Sequence, residues 1–400
     1  MIERITVIGA GNGGQALAAD CKLGGKTVTL FELEKYQSSI ESIMSSKEIM
    51  LYGPELNAKN FKRNGVAKLD AITTDMKEAM KDAQLILVCV RALAFEEIFD
   101  QMIDYLEDGQ VISIIPDNYG ALVFRRMMKE KNCTKNIIVG GWNSLPYGCR
   151  VVKRGPVNEI YNMYRAVALT GDAMPSCDKD EFFRVMNECP VWDTVECLPG
   201  DTMLDVGFSN PNPILHVPSS ILNMGAIDNW GSIVQCTIPE GNEFYDIYKH
   251  GFSYHVSKIQ YKLYLEECEI AKALGVGIQH FDKEVFFSRT SVIGPEYMGE
   301  GFAIPFEEHI PNDEWMKHLP GDRFTMETRY VTEDIPVGCN MYYELAKLAN
   351  VDTPVIRSMI SLGSVVHDTN YFNSNFNLKF LGLDNMTIED IGHYLRHHTD

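Results

Sequence analysis

Over the first 142 residues, short apolar runs alternate with longer stretches of helical periodicity. Arg4–Ile8 (RITVI) predicts a buried strand, followed by glycines and an alanine-rich helix over 13–23, and Lys26–Phe31 (KTVTLF) predicts a second strand. A polar stretch over 35–68 carries turn signals at Tyr52-Gly-Pro and Asn64-Gly65. Residues 71–74 predict a short third strand and 76–80 a helix. Gln84–Val90 (QLILVCV) is continuously apolar, as expected where a parallel sheet is covered on both faces. A helix over 92–105, a strand over 110–115, a helix over 119–131 and a strand over 136–140 complete the series. Strand–helix alternation of this kind implies a parallel, doubly wound sheet with right-handed crossovers.

The pattern changes after Trp142. Gly148–Arg154 and Glu159–Leu169 read as a hairpin around Gly155-Pro156, Asp180–Glu188 reads as a helix, and helical spacing dominates from about Asp205. Lys258–Leu274 puts Ile259, Leu263, Ile270 and Leu274 on one face, with Gly275 placed as a C-cap. Residues 281–333 are rich in glycine, proline and acid, long for a structureless loop. Tyr342–Ala349 and Pro354–Val366 predict an antiparallel helical pair. The expected fold class is α/β: an N-terminal Rossmann doubly wound parallel sheet followed by a mainly α-helical C-terminal domain. The expected division is 1–145 for the first domain, a short junction hairpin to about 175, and 176–400 for the second.

Composition narrows the partners. The 400 residues carry 36 Lys and Arg against 55 Asp and Glu, a net charge of −19, which disfavours nucleic acid and anionic membrane surfaces. The longest apolar run, Leu85–Val90, is far short of the ~20 residues a membrane helix needs. A strand pattern starts at the N-terminus with Glu3 where a leader would be basic or apolar, and the ten cysteines show no CxxC spacing. These features lead to the expectation of a cytoplasmic protein with reduced thiols, no metal and small-molecule substrates; an oligomer is compatible with them.

Gly9-Ala-Gly11-Asn12-Gly13-Gly14 satisfies G-x-G-x-x-G between a predicted strand and a predicted helix, the context in which the motif is informative. Gly9 permits the tight turn, Gly11 close approach to a pyrophosphate, and Gly14 close helix–strand packing. The helix N-terminus offers N–H groups and a positive dipole end to the phosphates. Glu32 ends the second strand, where a carboxylate accepts the adenosine ribose hydroxyls and repels a 2′-phosphate, so NAD (NADH) is favoured over NADP. A solvated glutamate is the competing reading.

Further along, Ser209-Asn-Pro-Asn-Pro-Ile-Leu-His216-Val-Pro, Arg329-Tyr-Val-Thr-Glu-Asp334-Ile-Pro-Val-Gly338, Leu345-Ala-Lys-Leu-Ala-Asn-Val-Asp-Thr-Pro354 and Ser144-Leu-Pro-Tyr-Gly-Cys-Arg150 stand out. With the early GAGNGG, these segments resemble the opine dehydrogenase family, nearly from end to end. The resemblance implies reductive condensation of a 2-oxo acid, such as pyruvate, with the amino group of an amino acid at the expense of a reduced nicotinamide. It assigns His216 and Asp334 as a catalytic dyad, and it points to Asn118 and Ser144 as carboxylate-binding residues. Asn118 departs from the glutamine expected in the octopine branch.

From the residues alone, an imidazole is the natural acid–base group near neutral pH, and a carboxylate behind it fixes its tautomer. Competing readings are a structural His216 in a proline-rich turn, an Asp334 that caps the following helix with Glu333 as the alternative acid, and loop-capping roles for Asn118 and Ser144. Arg329 is a fixed cation suited to a substrate carboxylate or the pyrophosphate, or a plain surface residue. A dehydrogenase acting on a 2-oxo or 2-hydroxy acid without amine condensation, and a nucleotide-sensing protein with a degenerate second half, are the alternative functions.

Overall fold

The computed structural model describes residues 1–53, 63–233, 245–278, 281–286 and 324–398. It divides into two compact units, one comprising Met1–Gly207 with Glu389–Asp400 and the other Phe208–Ile388.

In the first unit, β1 (Arg4–Ile8), α1 (Asn12–Leu23) and β2 (Thr27–Phe31) form the opening βαβ turn of the chain. The stretch expected to be merely polar instead holds two strands, β3 (Glu48–Tyr52) and β4 (Gly65–Lys68). The β3 residues EIMLY bury Ile49 and Leu51 alternately, but glutamate and methionine give that segment a weak strand signal. Then come β5 (Ala71–Thr73), α2 (Met76–Met80), β6 (Leu85–Val88), α3 (Phe95–Ile103), β7 (Val111–Ile114), α4 (Gly120–Glu130) and β8 (Ile138–Trp142). All four residues of β6 and of β7 are buried, which matches their uninterrupted apolar runs.

The chain goes on through β9 (Tyr147–Lys153), β10 (Val157–Arg165), β11 (Ala168–Met174), α5 (Lys179–Met186), β12 (Glu196–Pro199) and α6 (Met203–Phe208). The main sheet has the order β12-β11-β8-β7-β6-β1-β2-β5, parallel from β5 to β8, with β11 antiparallel to β8. The hairpin β9–β10 forms, yet it belongs to a second sheet, β4-β3-β10-β9. The expected boundary at 145–175 is therefore too early. β11 and β12 return to the first sheet after the hairpin, and the unit extends to Gly207.

The second unit contains α7 (Asn212–Ile221), α8 (Met224–Ile233), α9 (Ile247–His250), α10 (Tyr254–Leu274), α11 (Lys283–Phe286), α12 (Arg329–Thr332), α13 (Asn340–Ala349) and α14 (Pro354–Val366). α15 (Ile388–Arg396) follows and packs with the first unit almost entirely. Gly275 closes α10 in the left-handed conformation at φ +68°. Glu266 of α10 caps α14 from outside, accepting from Val355 N at 3.1 Å and Ile356 N at 3.0 Å. Most of 281–333 lies outside the described residues, including His309 and His318, as does His280. Among the described residues, no helix is long and apolar enough to cross a membrane.

A buried ion network ties α1 to the outer segments of the first unit. Asp20, fully buried, accepts from Arg63 Nε at 2.6 Å and from Arg165 Nη2 at 3.1 Å, and Arg63 also reaches Asp193 at 2.8 Å. Removing one partner leaves a desolvated charge half compensated. Arg165→Met is expected to lower unfolding free energy by about 3 kcal/mol in urea titration, and Asp20→Leu/Arg165→Met to recover part of it. A double variant weaker than the single by the full cost of a second lesion contradicts this account.

Candidate functional site

The glycine loop occupies the end of β1, between β2 and β6, where strand order reverses. That is the switch point at which open α/β sheets bind ligands. Gly9 has φ +96°, and a Cβ there would lie 2.5 Å from Cys89 O. Gly14 is packed still closer, because a Cβ would lie 1.7 Å from Gly9 O. Gly13 faces Cys89 Sγ and Leu145, with a Cβ 2.7 and 2.9 Å from them. Gly11 caps α1 in extended conformation, with open space where a Cβ would project. The loop thus has one glycine facing room for a ligand and others that permit backbone contact. Asn12 is turned to the hairpin, its Oδ1 accepting from Val151 N at 2.9 Å.

Glu32 is buried at the end of β2, and its two oxygens accept from Ala10 N at 2.8 Å and Leu33 N at 2.9 Å. Burial raises its pKa, with the two N–H groups opposing that shift. A carboxylate has about four acceptor positions, so two such bonds leave capacity for a ribose diol. This pocket chemistry fits a dinucleotide.

Asn118 and Ser144 follow neighbouring parallel strands, β7 and β8, at their C-terminal ends. Asn118 (φ +44°) and Tyr119 (φ +64°) are consecutive left-handed residues, and the half-buried Asn118 sits at the turn into α4. Ser144 is 9% exposed, next to Asn143, which pairs with Thr170 of β11 through both its backbone N–H (2.9 Å) and its side chain (3.1 Å).

In the second unit, His216 lies inside α7 rather than in a turn. Pro211 is the N-cap and Pro213 stands in the first turn, where a proline's missing N–H costs nothing, so the proline-rich segment starts a helix. α12 leads into a π-helical turn, Asp334–Cys339, which continues into α13. Pro336 cannot donate to the α-helical ladder, and the turn widens there. Glu333, not Asp334, is the N-cap of this turn, and its side chain makes no capping bond. Asp334 Oδ2 lies 2.6 Å from His216 Nδ1, although the two residues are 118 apart in sequence. The side chains are 4% and 15% exposed, so water competes little for this contact. Tyr330 stacks on the imidazole, ring centroids 3.8 Å apart at 18°. Arg329 is exposed, its guanidinium carbon 6.0 Å from the Tyr330 ring centroid.

The structure therefore brings His216 to Asp334, groups the glycines with Glu32, and sets Asn118 and Ser144 on adjacent strand ends. Each grouping lies within one unit. Tyr330 carried no role in the sequence reading, although it sits in the RYVTEDIP segment. Asp117 was missed as well. Fully buried, it accepts from Ala121 N at 2.9 Å through Oδ1, while Oδ2 has no partner. Near the C-terminus, His398 pairs with Asp178 at 2.9 Å.

Two family models match the chain. The alpha-helical domain of NAD/NADP octopine/nopaline dehydrogenase covers residues 199–367, and the N-terminus of NAD-dependent glycerol-3-phosphate dehydrogenase covers 4–116. The chain is 27% identical over 395 residues, 98% of its length and 99% of the relative's, to an opine dehydrogenase of Arthrobacter sp. (strain 1C). It is 24% identical over 385 residues, 88% of each chain, to an opine dehydrogenase of Haliotis discus hannai. Among solved structures it is similar to octopine dehydrogenase with NADH and L-arginine (TM-score 0.67, 17% identity, 100% of both chains). It is also similar to yersinopine dehydrogenase with NADP+ bound (TM-score 0.64, 11% identity, 98% of both). At these identities the solved structures speak for the fold.

With the glycine loop, the helical second unit and these matches, the protein is an NAD-binding oxidoreductase acting on the CH–NH group of donors. Its helical unit matches the octopine/nopaline dehydrogenase model, and over nearly its whole length the chain is similar to opine dehydrogenases.

Burial pushes Asp117 up to about 7 against the opposing backbone N–H bonds. The unfolded chain releases that proton near pH 4, so folded stability attributable to this group falls as pH rises from about 4 to 7 and is level above. Asp117→Asn keeps an acceptor for Ala121 N–H and does not titrate. Its stability relative to the parent is expected to improve by about 3–4 kcal/mol between pH 4.5 and pH 8. Urea midpoints at the two pH values measure this, and a pH-independent difference contradicts it.

Proposed function

We propose that this protein is an NADH-dependent opine dehydrogenase that joins a 2-oxo acid, with pyruvate the first candidate, to the amino group of an L-amino acid. The observation that carries the reading is the 2.6 Å pairing of His216 with Asp334 in the unit matched by the octopine/nopaline dehydrogenase family model.

The pairing puts the proton of the inner ring nitrogen on Nδ1, donated to the carboxylate, and leaves Nε2 for proton transfer. As amine and oxo acid condense, the amine nitrogen gives one proton to the former carbonyl oxygen and Nε2 gives the second, so the oxygen leaves as water and an iminium keeping one N–H remains. The Asp334 carboxylate stabilises the imidazolium present before that transfer. A bound reduced nicotinamide would supply the hydride that turns the iminium carbon into the C–H of the secondary amine, whose N–H is the one kept from the amino acid. Tyr330 holds the ring plane by stacking. Asn118 and Ser144 are assigned to the oxo-acid carboxylate as neutral donors, and exposed Arg329 to an anionic group of substrate or cofactor.

Gly9, Gly11, Asn12, Gly13 and Gly14 are assigned to the dinucleotide, with Asn12 acting by anchoring the loop to β9. Glu32 supports NADH over NADPH because a buried carboxylate repels the 2′-phosphate. Glu32→Gln is expected to narrow the ratio of kcat/KM for NADH over NADPH by about tenfold, the equivalent of ~1.4 kcal/mol. An unchanged ratio removes Glu32 from cofactor choice.

NADH oxidation with pyruvate, measured with and without a panel of L-amino acids, tests the reaction. Strict dependence on an amine supports the proposal. Equal turnover without amine supports a 2-oxo acid dehydrogenase instead, and no turnover with any oxo acid supports a nucleotide-binding role. His216→Ala is expected to lose on the order of 10²–10⁴-fold in turnover with NADH binding kept, the usual worth of a positioned acid–base group. Wild-type turnover in that variant removes the dyad.

A further inference from the structure

The π-helical turn that carries Asp334 is packed from two sides within the helical unit. Gly338 faces α7, and a Cβ on Gly338 would lie 2.3 Å from Pro213 Cγ and 2.9 Å from Pro213 Cβ. On the other side Gly363 of α14 makes room for Ile335, and a Cβ there would lie 2.3 Å from Ile335 Cδ1. The two contacts differ in kind. Ile335 Cδ1 is the end of a flexible side chain, whereas Pro213 is a rigid ring fixed to the first turn of α7.

Pro213 and His216 are three residues apart on α7, and Asp334 and Gly338 are four apart on the turn. Such spacings put each pair on one face, one turn apart. The glycine–proline contact is therefore the neighbouring rung of the imidazole–carboxylate pair. We propose that Gly338 is a positioning residue: by carrying no side chain, it lets the turn approach α7 closely enough for Asp334 to reach His216 Nδ1. Any Cβ at 338 forces the two segments apart by about 1 Å to restore carbon–carbon contact distance. The 2.6 Å pair then opens beyond hydrogen-bond range. The proposal rests on His216 being the proton-transfer group.

The test compares Gly338→Ala, Gly338→Ala/Pro213→Gly and His216→Ala, with steady-state kinetics and proton NMR on the full chain. A proton in a short bond to a carboxylate resonates far downfield, and its disappearance in His216→Ala assigns it to Nδ1–H. Gly338→Ala is expected to lower kcat on the order of 10²-fold, the usual consequence of a misplacement near 1 Å, with KM for NADH kept. The downfield resonance is expected to move upfield. The clashing atoms, Cγ at 2.3 Å and Cβ at 2.9 Å, both belong to the Pro213 side chain. Pro213→Gly therefore vacates the volume the new Cβ needs, and the double variant is expected to regain both turnover and the resonance. Should Gly338→Ala fail to accumulate, a folded and active double variant still supports the proposal. A double variant that does not fold, or that keeps the single variant's loss, assigns Gly338 to stability alone and overturns it. Full turnover and an unmoved resonance in Gly338→Ala, with His216→Ala inactive, overturn the proposal and leave the dyad standing. Wild-type turnover in His216→Ala ends both.

Discussion

The proposed chemistry depends on which nitrogen of one imidazole carries a proton. Imidazole exchanges its tautomers freely in water, and a ring in that condition presents the wrong nitrogen part of the time. In this protein the choice is made by a carboxylate 2.6 Å from Nδ1, with both side chains largely withdrawn from solvent. Low local polarity strengthens the bond, and it also makes an unpaired partner costly. Neither residue is useful in that position without the other, which is why two distant chain segments have to be brought together so closely.

Close approach is obtained by the same means in both units. In the first, the Cβ-less Gly14 lets α1 lie against the Gly9 carbonyl, so that the helix N-terminus opens directly at the end of β1. In the second, Gly338 lets the π-helical turn sit against the Pro213 ring. Each glycine removes a side chain where the chain packs too closely to hold one, Gly14 against a backbone carbonyl and Gly338 against a proline ring. Glycine weakens helices by roughly 1 kcal/mol against alanine. Its presence in the 334–339 turn is therefore a local cost accepted for geometry.

The first unit was largely legible because its strands are continuous apolar runs and its glycine motif follows a strand and opens a helix, as in Arg4–Ile8 followed by Asn12–Leu23. What escaped was context-dependent. β3 and β4 have few β-branched residues and become strands by pairing with each other and with β10. β11 and β12 rejoin the main sheet after the hairpin, and no local pattern announces a return to a distant sheet. In the second unit, prolines at 211 and 213 suggested a turn because proline breaks helices from inside, whereas at a helix start it is harmless. The partnership of His216 and Asp334 came from family resemblance, since no spacing rule connects residues 118 apart. Tyr330 and Asp117 were invisible because stacking and burial are properties of the folded chain.

Four acids largely withdrawn from solvent meet two different electrostatic situations. Asp20 and Asp334 are matched by a cation or an imidazole at hydrogen-bond distance. Asp117 and Asp172 are instead held near pH 7 by desolvation that their bonding partners do not offset, although Lys179 stands 3.3 Å from Asp172. Both lie close to strand ends of the main sheet, Asp117 just after β7 and Asp172 within β11. A carboxyl that is half protonated at neutral pH stabilises the fold least where the protein works, because the unfolded chain ionises freely there. Asp117 in particular immediately precedes two left-handed residues, one of them Asn118. Its Oδ1 accepts the Ala121 N–H and anchors the start of α4, so the group that weakens the fold at neutral pH also shapes the turn presenting Asn118. Local conformation at that strand end is thus obtained at the expense of global stability.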